Sequence, residues 1–398
     1  MNQCGWMLRC ASSSGGSVTE WADTTLGDFV SLQRGHDLPA PLRAGGSVPV
    51  VGSGGLTGWH DVAKAKGPGI TIGRAANLGV PTLIESDFWP LNTTLYVTDF
   101  KGNDVGFAYH LFRVLDLAGY NSGSVQPMLN RNYIQNVPIR LPGVGEQRAI
   151  SGVLGALDGK IKSNDRIVEL AAESISLYFS STVWDYGAGG DLPDRYAAGE
   201  ILDLCERIGN GGTPKRGRPE YWINGQVAWY KTGELLDGPL LRSSEHITSL
   251  GLEESSCRLW PEGTVLIALY GATVGKLGIL EASASFNQAC SALRPKEEFG
   301  TLLLFETLKA IRSPLRNLAV GAAQQNISKG VLSSYRVVIP SAEAADRFNR
   351  FARPLYRRQV SALKESRALA ALRDTLLPQL MSGKLRVRDA ERIVEDAV

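Results

Sequence analysis

Two stretches of this chain place apolar residues at alternating steps of four and three. In residues 146–180 the series is Ile150, Leu154, Leu157, Ile161, Val168, Ala171, Ile175 and Tyr178, with Asn164 filling one slot. In residues 342–380 it is Phe351, Leu355, Ala362, Leu369, Leu372 and Leu376, with Arg358 and Glu365 as polar slots. Such an alternation is the seam of a helix that packs along another helix. It predicts two long helices, over 144–182 and 342–382. Ahead of each, the text changes to short apolar runs of strand type, at 70–73, 94–98, 265–269 and 336–339, punctuated by Gly-Gly, Pro-Gly and Gly-Pro. Residues 187–194 (GAGGDLPD) read as a linker.

The chain also repeats itself. Residues 123–142 (GSVQPMLNRNYIQNVPIRLP) align without a gap to residues 321–340 (GAAQQNISKGVLSSYRVVIP), an offset of 198. Gln126 faces Gln324, Leu129 faces Ile327, and Ile139 and Leu141 face Val337 and Ile339. Upstream, Gly79 faces Gly275 at nearly the same offset. A duplicated unit of one globule and one helix explains both the repeat and the two seams. The expected layout is a tail at 1–20, a globule at 21–143, a helix at 144–182, a linker at 183–192, a second globule at 193–341, a second helix at 342–382 and a tail at 383–398.

Chain order then constrains geometry. Compact domains have nearby termini, so the second helix is expected to start close to where the first ends, and to pack antiparallel to it with pseudo-twofold symmetry. A helix of about 35 residues is roughly 52 Å long, while one turn of DNA is about 34–36 Å. Such a rod suits two heads over separate patches of one duplex. It equally suits a scaffold that spaces two interaction domains, and geometry alone does not choose. The polar slots Asn164, Arg358 and Glu365 are candidates for fixing the helix register.

Composition narrows the classes. Apolar residues make up 43% of the 398, enough for large cores, which excludes wholesale disorder. No run approaches the roughly 18 apolar residues of a membrane span, and residues 1–20 lack the pattern of a signal peptide. No membrane association and a cytoplasmic location are expected. Cys4, Cys10, Cys205, Cys257 and Cys290 contain no C-x-x-C pair, and His36, His60, His110 and His246 are scattered, so neither a disulfide framework nor a metal site is expected. Net charge is only +2, so any nucleic-acid contact must come from local patches. Enzyme motifs fail as well. Residues 271–277 (GATVGKL) miss the phosphate-loop pattern, with Tyr270 in place of its first Gly and Leu277 after the lysine. No Asn-Pro-Pro-aromatic motif and no G-x-S-x-G elbow is present. The expectation is a binding subunit with no catalytic residue and no cofactor of its own.

Residues 372–385 (LRDTLLPQLMSGKL) resemble the C-terminal signature of type I restriction–modification specificity subunits. Residues 142–150 (PGVGEQRAI) look like that family's proline, Glu-Gln pair and helix start. Leu26-Gly27-Asp28 and Gly211-Gly212-Thr213-Pro214 look like the opening strand and loop of its two recognition domains, and Tyr221-Trp222 to Trp229 like the aromatic segment that follows. The likeness spans about residues 21–388. It departs in two places: the second half has Glu343-Ala344-Ala345 where the first has Glu146-Gln147-Arg148, and the first half has no Gly-Thr-Pro loop. The resemblance implies an α/β (α+β) fold with two target-recognition domains, each reading half of a split, asymmetric double-stranded DNA target. It implies that the paired helices space the halves and dock two methyltransferase subunits, which restriction (motor-nuclease) subunits join. S-adenosylmethionine, ATP and magnesium would belong to those partners. A DNA-targeting subunit for a methyltransferase alone, and a protein scaffold without DNA contact, are the alternatives.

Base reading in the major groove takes Arg or Lys for guanine and Asn or Gln for adenine, and phosphate anchoring takes Lys, Arg and small donors. On those grounds the first-half candidates are Arg34, His36, Lys64, Lys66, Arg74, Asn77, Asn130, Arg131 and Asn132. In the second half they are Lys215, Arg216, Arg218, Tyr221, Lys231, Lys276, Gln324, Gln325, Asn326 and Lys329. The loop Lys215-Arg216-Gly217-Arg218, beside Tyr221 and Trp222, is the densest cationic cluster among them. Arg350, Arg353, Arg357, Arg358, Lys364, Arg367 and Arg373 on the second helix are open to DNA phosphates, acidic partner surfaces or solvent alike.

Overall fold

A computed structural model describes residues 21–120, 127–184, 196–318 and 326–397. Contacts divide the chain into two units, residues 1–162 with 367–398, and residues 163–366. The boundaries cut across the linear layout, because each unit consists of one globule with a segment of each long helix.

In the first unit, the strand Ala22–Thr25 pairs antiparallel with Pro138–Leu141, so the chain enters and leaves the globule at one place, beside the start of the first long helix, Val144–Phe179. A four-stranded sheet (Ser31–Arg34, Thr94–Asp99, Gly69–Gly73, Pro81–Ile84) and a three-stranded sheet (Gly55–His60, Val48–Gly52, Trp89–Pro90) form the body. Ile70, Ile72 and Leu95 line one core with Phe107 and Phe112 of the helix Val105–Val114. Into the same core Ile150, Leu154 and Leu157 of the first long helix project, together with Leu369, Leu376 and Leu380 of the second, Ala342–Met381. Ile161 and Leu372 are half-buried at its margin. Residues 383–398, expected as a tail, include a helix, Val387–Ala397, whose Ala390 is fully buried in that core.

The second unit repeats the plan. Tyr196–Glu200 pairs antiparallel with Arg336–Pro340. A five-stranded sheet begins with Cys205–Asn210, and a three-stranded sheet runs Glu245–Ile247, Val227–Tyr230, Ser285–Phe286. The helix Gly300–Ala310 takes the place of Val105–Val114. Ala171 and Ile175 of the first long helix are buried here, with Val168 and Tyr178 half-buried.

On the second long helix the buried stripe departs from the expected seam. Ala345, Phe348, Ala352, Gln359 and Ala362 are buried, Leu355 is half-buried, Phe351 is 40% exposed, and Arg358 faces solvent. The reason is that this end of the helix packs on the globule as well as on a helix, so the covered face is wider than a heptad seam and follows the 3.6-residue period. The slots Asn164 and Glu365 do meet: Asn164, fully buried, donates from Nδ2 to Glu365 Oε2 at 3.0 Å.

The two units solve one packing problem with different residues. In the first, Gln147 (1% exposed) accepts the Asp104 N–H at 3.1 Å and donates to Asn103 Oδ1 and the Pro142 carbonyl. This locks the long helix to the N-terminus of Val105–Val114. Alanine stands at the matching place of the second helix, and there Asn349, one turn on, donates to the carbonyls of Phe299 and Ala345 at 2.7 and 2.9 Å. Gln147→Leu is expected to cost about 2–4 kcal/mol, since a buried N–H and a carbonyl lose their partner at roughly 1–3 kcal/mol each. Thermal melting of the variant checks this, and a loss below about 1 kcal/mol would mean that water replaces the amide.

Candidate nucleic-acid interface

In the first unit, backbone hydrogen bonds pull four distant segments into one place. His36 N–H donates to the Pro90 carbonyl, Asn92 N–H to the His36 carbonyl, Arg74 N–H to the Thr93 carbonyl, and Leu129 N–H to the Arg74 carbonyl, all at 2.8–2.9 Å. Gly35 makes the approach possible, because a Cβ there would lie 2.1 Å from the Leu91 carbonyl oxygen. The result is an open cleft of about 720 Å³ lined by Gln33, Arg34, His36, Asp37, Arg74, Asn92, Met128, Asn130 and Arg131. Five of the nine first-half candidates therefore share one surface.

Its electrostatics are unusual. Arg34 and Arg74 are close enough to repel. Burial first, and then the Arg34 charge, pull the Arg74 guanidinium below its ordinary value. Among the described residues no carboxylate forms an ion pair with Arg34, Arg74 or Arg131. Asp37 accepts from Asn92 Nδ2 at 2.8 Å, and His36 Nε2 lies 3.4 Å from the Tyr96 hydroxyl. Asn130 caps the short helix Arg131–Ile134 by accepting from the Asn132 N–H, which leaves Arg131 and Asn132 exposed on its first turn.

The remaining first-half candidates sit elsewhere. Lys64 lies over the Trp89 ring, 5.3 Å from its centroid. Lys66 is paired with Asp87 at 2.7 Å. Asn77 is exposed next to the turn at Gly54, where a Cβ would be 3.4 Å from its Nδ2.

The second unit builds the same place from matching bonds. Gly211, with no room for a Cβ 2.2 Å from the Asn287 carbonyl, corresponds to Gly35. Ile327 N–H donates to the Leu269 carbonyl as Leu129 does to that of Arg74. Ser328 caps Lys329–Ser333 as Asn130 caps its helix. Asn326 and Lys329 are exposed there. Gln324 and Gln325 lie outside the described residues.

The dense cationic loop turns out to be largely consumed by its own domain. Arg216 pairs with Glu245 and stacks 3.8 Å from the Trp222 centroid. Arg218 pairs with Glu220 and lies 4.7 Å from the Tyr221 centroid. Tyr221 itself is 3% exposed, its hydroxyl donating to Glu254. Lys231 is held by Glu245 at 2.6 Å, and Lys276 by Asp237 at 2.9 Å. Lys215 is the cation of the loop that projects without an ion pair among the described residues. The carboxylates that hold Arg216, Lys231 and Lys276 come from 14 to 39 residues away in the chain, whereas that of Arg218 is two residues on. Conversely, Gln33, Asp37 and Asn92 were missed; only the bonds that join residues 34–37 to 90–92 bring them to the cleft.

A second cavity, of about 600 Å³, lies inside the second unit against the long helix, with Glu262, Glu281, Arg294, Arg353, Tyr356 and Arg357 on its walls. Arg353 and Arg357, two of the second-helix cations, line it, and none of the base-reading candidates does.

Comparison with known proteins identifies the architecture. The family model of the type I restriction modification DNA specificity domain matches twice, at residues 19–171 and 193–359. The chain is 22% identical over 306 residues to the type I restriction enzyme MjaIX specificity subunit of Methanocaldococcus jannaschii, covering 71% of this chain and 69% of that one. It is 23% identical over 198 residues to the HindI specificity subunit of Haemophilus influenzae, covering 49% and 42%. The crystal structure of a type I restriction–modification S subunit from M. genitalium shares its fold, with a TM-score of 0.66 at 16% identity over 92% of this chain and 98% of that one. Two globules of one plan, each with its strand pair closed beside a long helix, are thus two copies of one known domain, and the chain belongs to the type I restriction–modification DNA specificity family.

Proposed function

We propose that this chain is the DNA-reading subunit of a type I restriction–modification complex in which each globule reads one half of a bipartite, asymmetric target. The observation that carries this reading is the doubled specificity domain, in which matching backbone bonds build the same place in each copy but set different side chains there. The long helices set the distance between the halves and dock two methyltransferase subunits, with restriction subunits joining that assembly. The chemistry, and with it S-adenosylmethionine, ATP and magnesium, belongs to those partners, and this chain contributes recognition without catalysis. Among the described residues no helix is long and apolar enough to cross a membrane, in keeping with work on DNA in the cytoplasm.

The test is a domain exchange. Replacing residues 21–143 with the corresponding region of another family member, in the full chain with its methyltransferase, should change one half of the methylated motif and leave the other and the spacing intact. Methylome sequencing reads the result directly. Change in both halves, or in neither, would overturn modular reading.

A further inference from the structure

We infer that the first unit's cleft reads a G·C base pair, with Arg34 and Arg74 addressing guanine and Asp37 the cytosine amino group. The inference deepens the reading of this chain as a DNA specificity subunit and rests on it.

Two guanidiniums that repel each other, without a carboxylate of their own among the described residues, present forked donors to an acceptor that the protein does not supply. Both a phosphate and the O6/N7 edge of guanine answer that chemistry. The rest of the cleft separates them. Asp37 lines the same surface, exposed and held by Asn92. A carboxylate beside the cations repels a phosphate, whereas it is the acceptor that the cytosine N4 amino group calls for. Cations and an acceptor together match the major-groove edge of a G·C pair, on which guanine offers two acceptors and cytosine one donor.

The second unit shows that this set is particular to the first. Matching backbone bonds place Asn210 where Arg34 stands, Leu269 where Arg74 stands, and Thr213 with Gln288 where Asp37 bonds Asn92. Among the described residues no guanidinium occupies that place in the second unit, so the second domain reads a different edge. This is what an asymmetric target requires.

The experiment uses the full chain with its cognate methyltransferase and compares the parent with Arg34→Lys, Arg74→Lys and Asp37→Asn by methylome sequencing and by binding to cognate and unrelated duplexes. Lysine keeps the charge and loses the fork, so the variants separate base reading from phosphate anchoring. In the expected result, one G·C position of the first half-site becomes degenerate, cognate affinity falls roughly 10- to 100-fold, affinity for unrelated DNA is unchanged, and the second half-site is still read, which also shows that the variants fold. Equal weakening on every duplex with an unchanged motif would assign the arginines to phosphate and overturn the proposal, as would a first half-site without a G·C pair. A parent chain that directs no motif would bring down the DNA-reading function itself; a parent motif indifferent to all three variants would bring down this assignment alone.

Discussion

Phe348→Ala is expected to cost about 3–5 kcal/mol, the usual range for deleting a fully buried aromatic ring. The ring is 1% exposed, meets Phe179 edge-on with centroids 5.6 Å apart, and stacks near Tyr178 at 6.3 Å. It joins the two long helices to the core of the second unit, where Phe299, Leu302 and Phe305 complete the cluster. Little can collapse into the vacated space, because its neighbours are large rings fixed by their own backbones. Phe351→Ala, one turn on, is the control. That ring stacks on Tyr178 at 4.1 Å but is 40% exposed, and about 1 kcal/mol is expected from the area it hides. Urea unfolding of both variants decides between them. Equal losses would mean that the heptad seam, and not the wider stripe, organises this end of the helix.

That pair of phenylalanines also shows where sequence periodicity succeeds and where it stops. In the first long helix, Ile150, Leu154 and Leu157 are apolar at seam spacing and are buried. Local spacing carries that information because a helix repeats its faces every few residues. At the start of the second helix the same counting selects Phe351 and Arg358, because sequence spacing does not reveal that a globule covers a neighbouring face. The repeat behaves likewise. Leu129 and Ile327, aligned from sequence, are both fully buried and make equivalent backbone bonds. The exchange of Gln147 for Asn349 crosses register by one turn and is visible only in space. Charges are the least legible. Nothing near Arg216 in the sequence announces Glu245, 29 residues on, and nothing near Arg34 announces that, among the described residues, no carboxylate pairs with it. Partner choice among charged side chains is a tertiary property, so a cationic run in the text says little about which cations remain available.

A loss of stability in acid is expected from His110. It is 2% exposed on the helix Val105–Val114 and faces Asp158 of the first long helix, with 4.0 Å from Nε2 to the carboxylate. Arg113 and Arg373 share that carboxylate at 3.4 and 2.6 Å, and Asp374 accepts from both arginines. Burial is the main force on the imidazole. The Asp158 charge opposes it, the two arginines add to it, and the net result pushes the ring from 6.5 down to about 4. His110 is thus neutral in the folded unit at pH 7. Its folded value lies below its unfolded one, so between about pH 6.5 and pH 4 the unfolded chain takes up a proton that the folded unit refuses. The stability associated with the neutral ring is complete above pH 6.5 and is lost as pH falls toward 4. A difference of that size corresponds to a loss on the order of 3 kcal/mol. His110→Leu, neutral and of similar volume, should stay within about 1.5 kcal/mol of the parent at pH 7 and show a flatter acid limb. Urea midpoints at pH 7 and pH 4.5 test this. If parent and variant lost stability in parallel over that range, the imidazole would have to accept its proton inside the folded unit, with Asp158 outweighing burial.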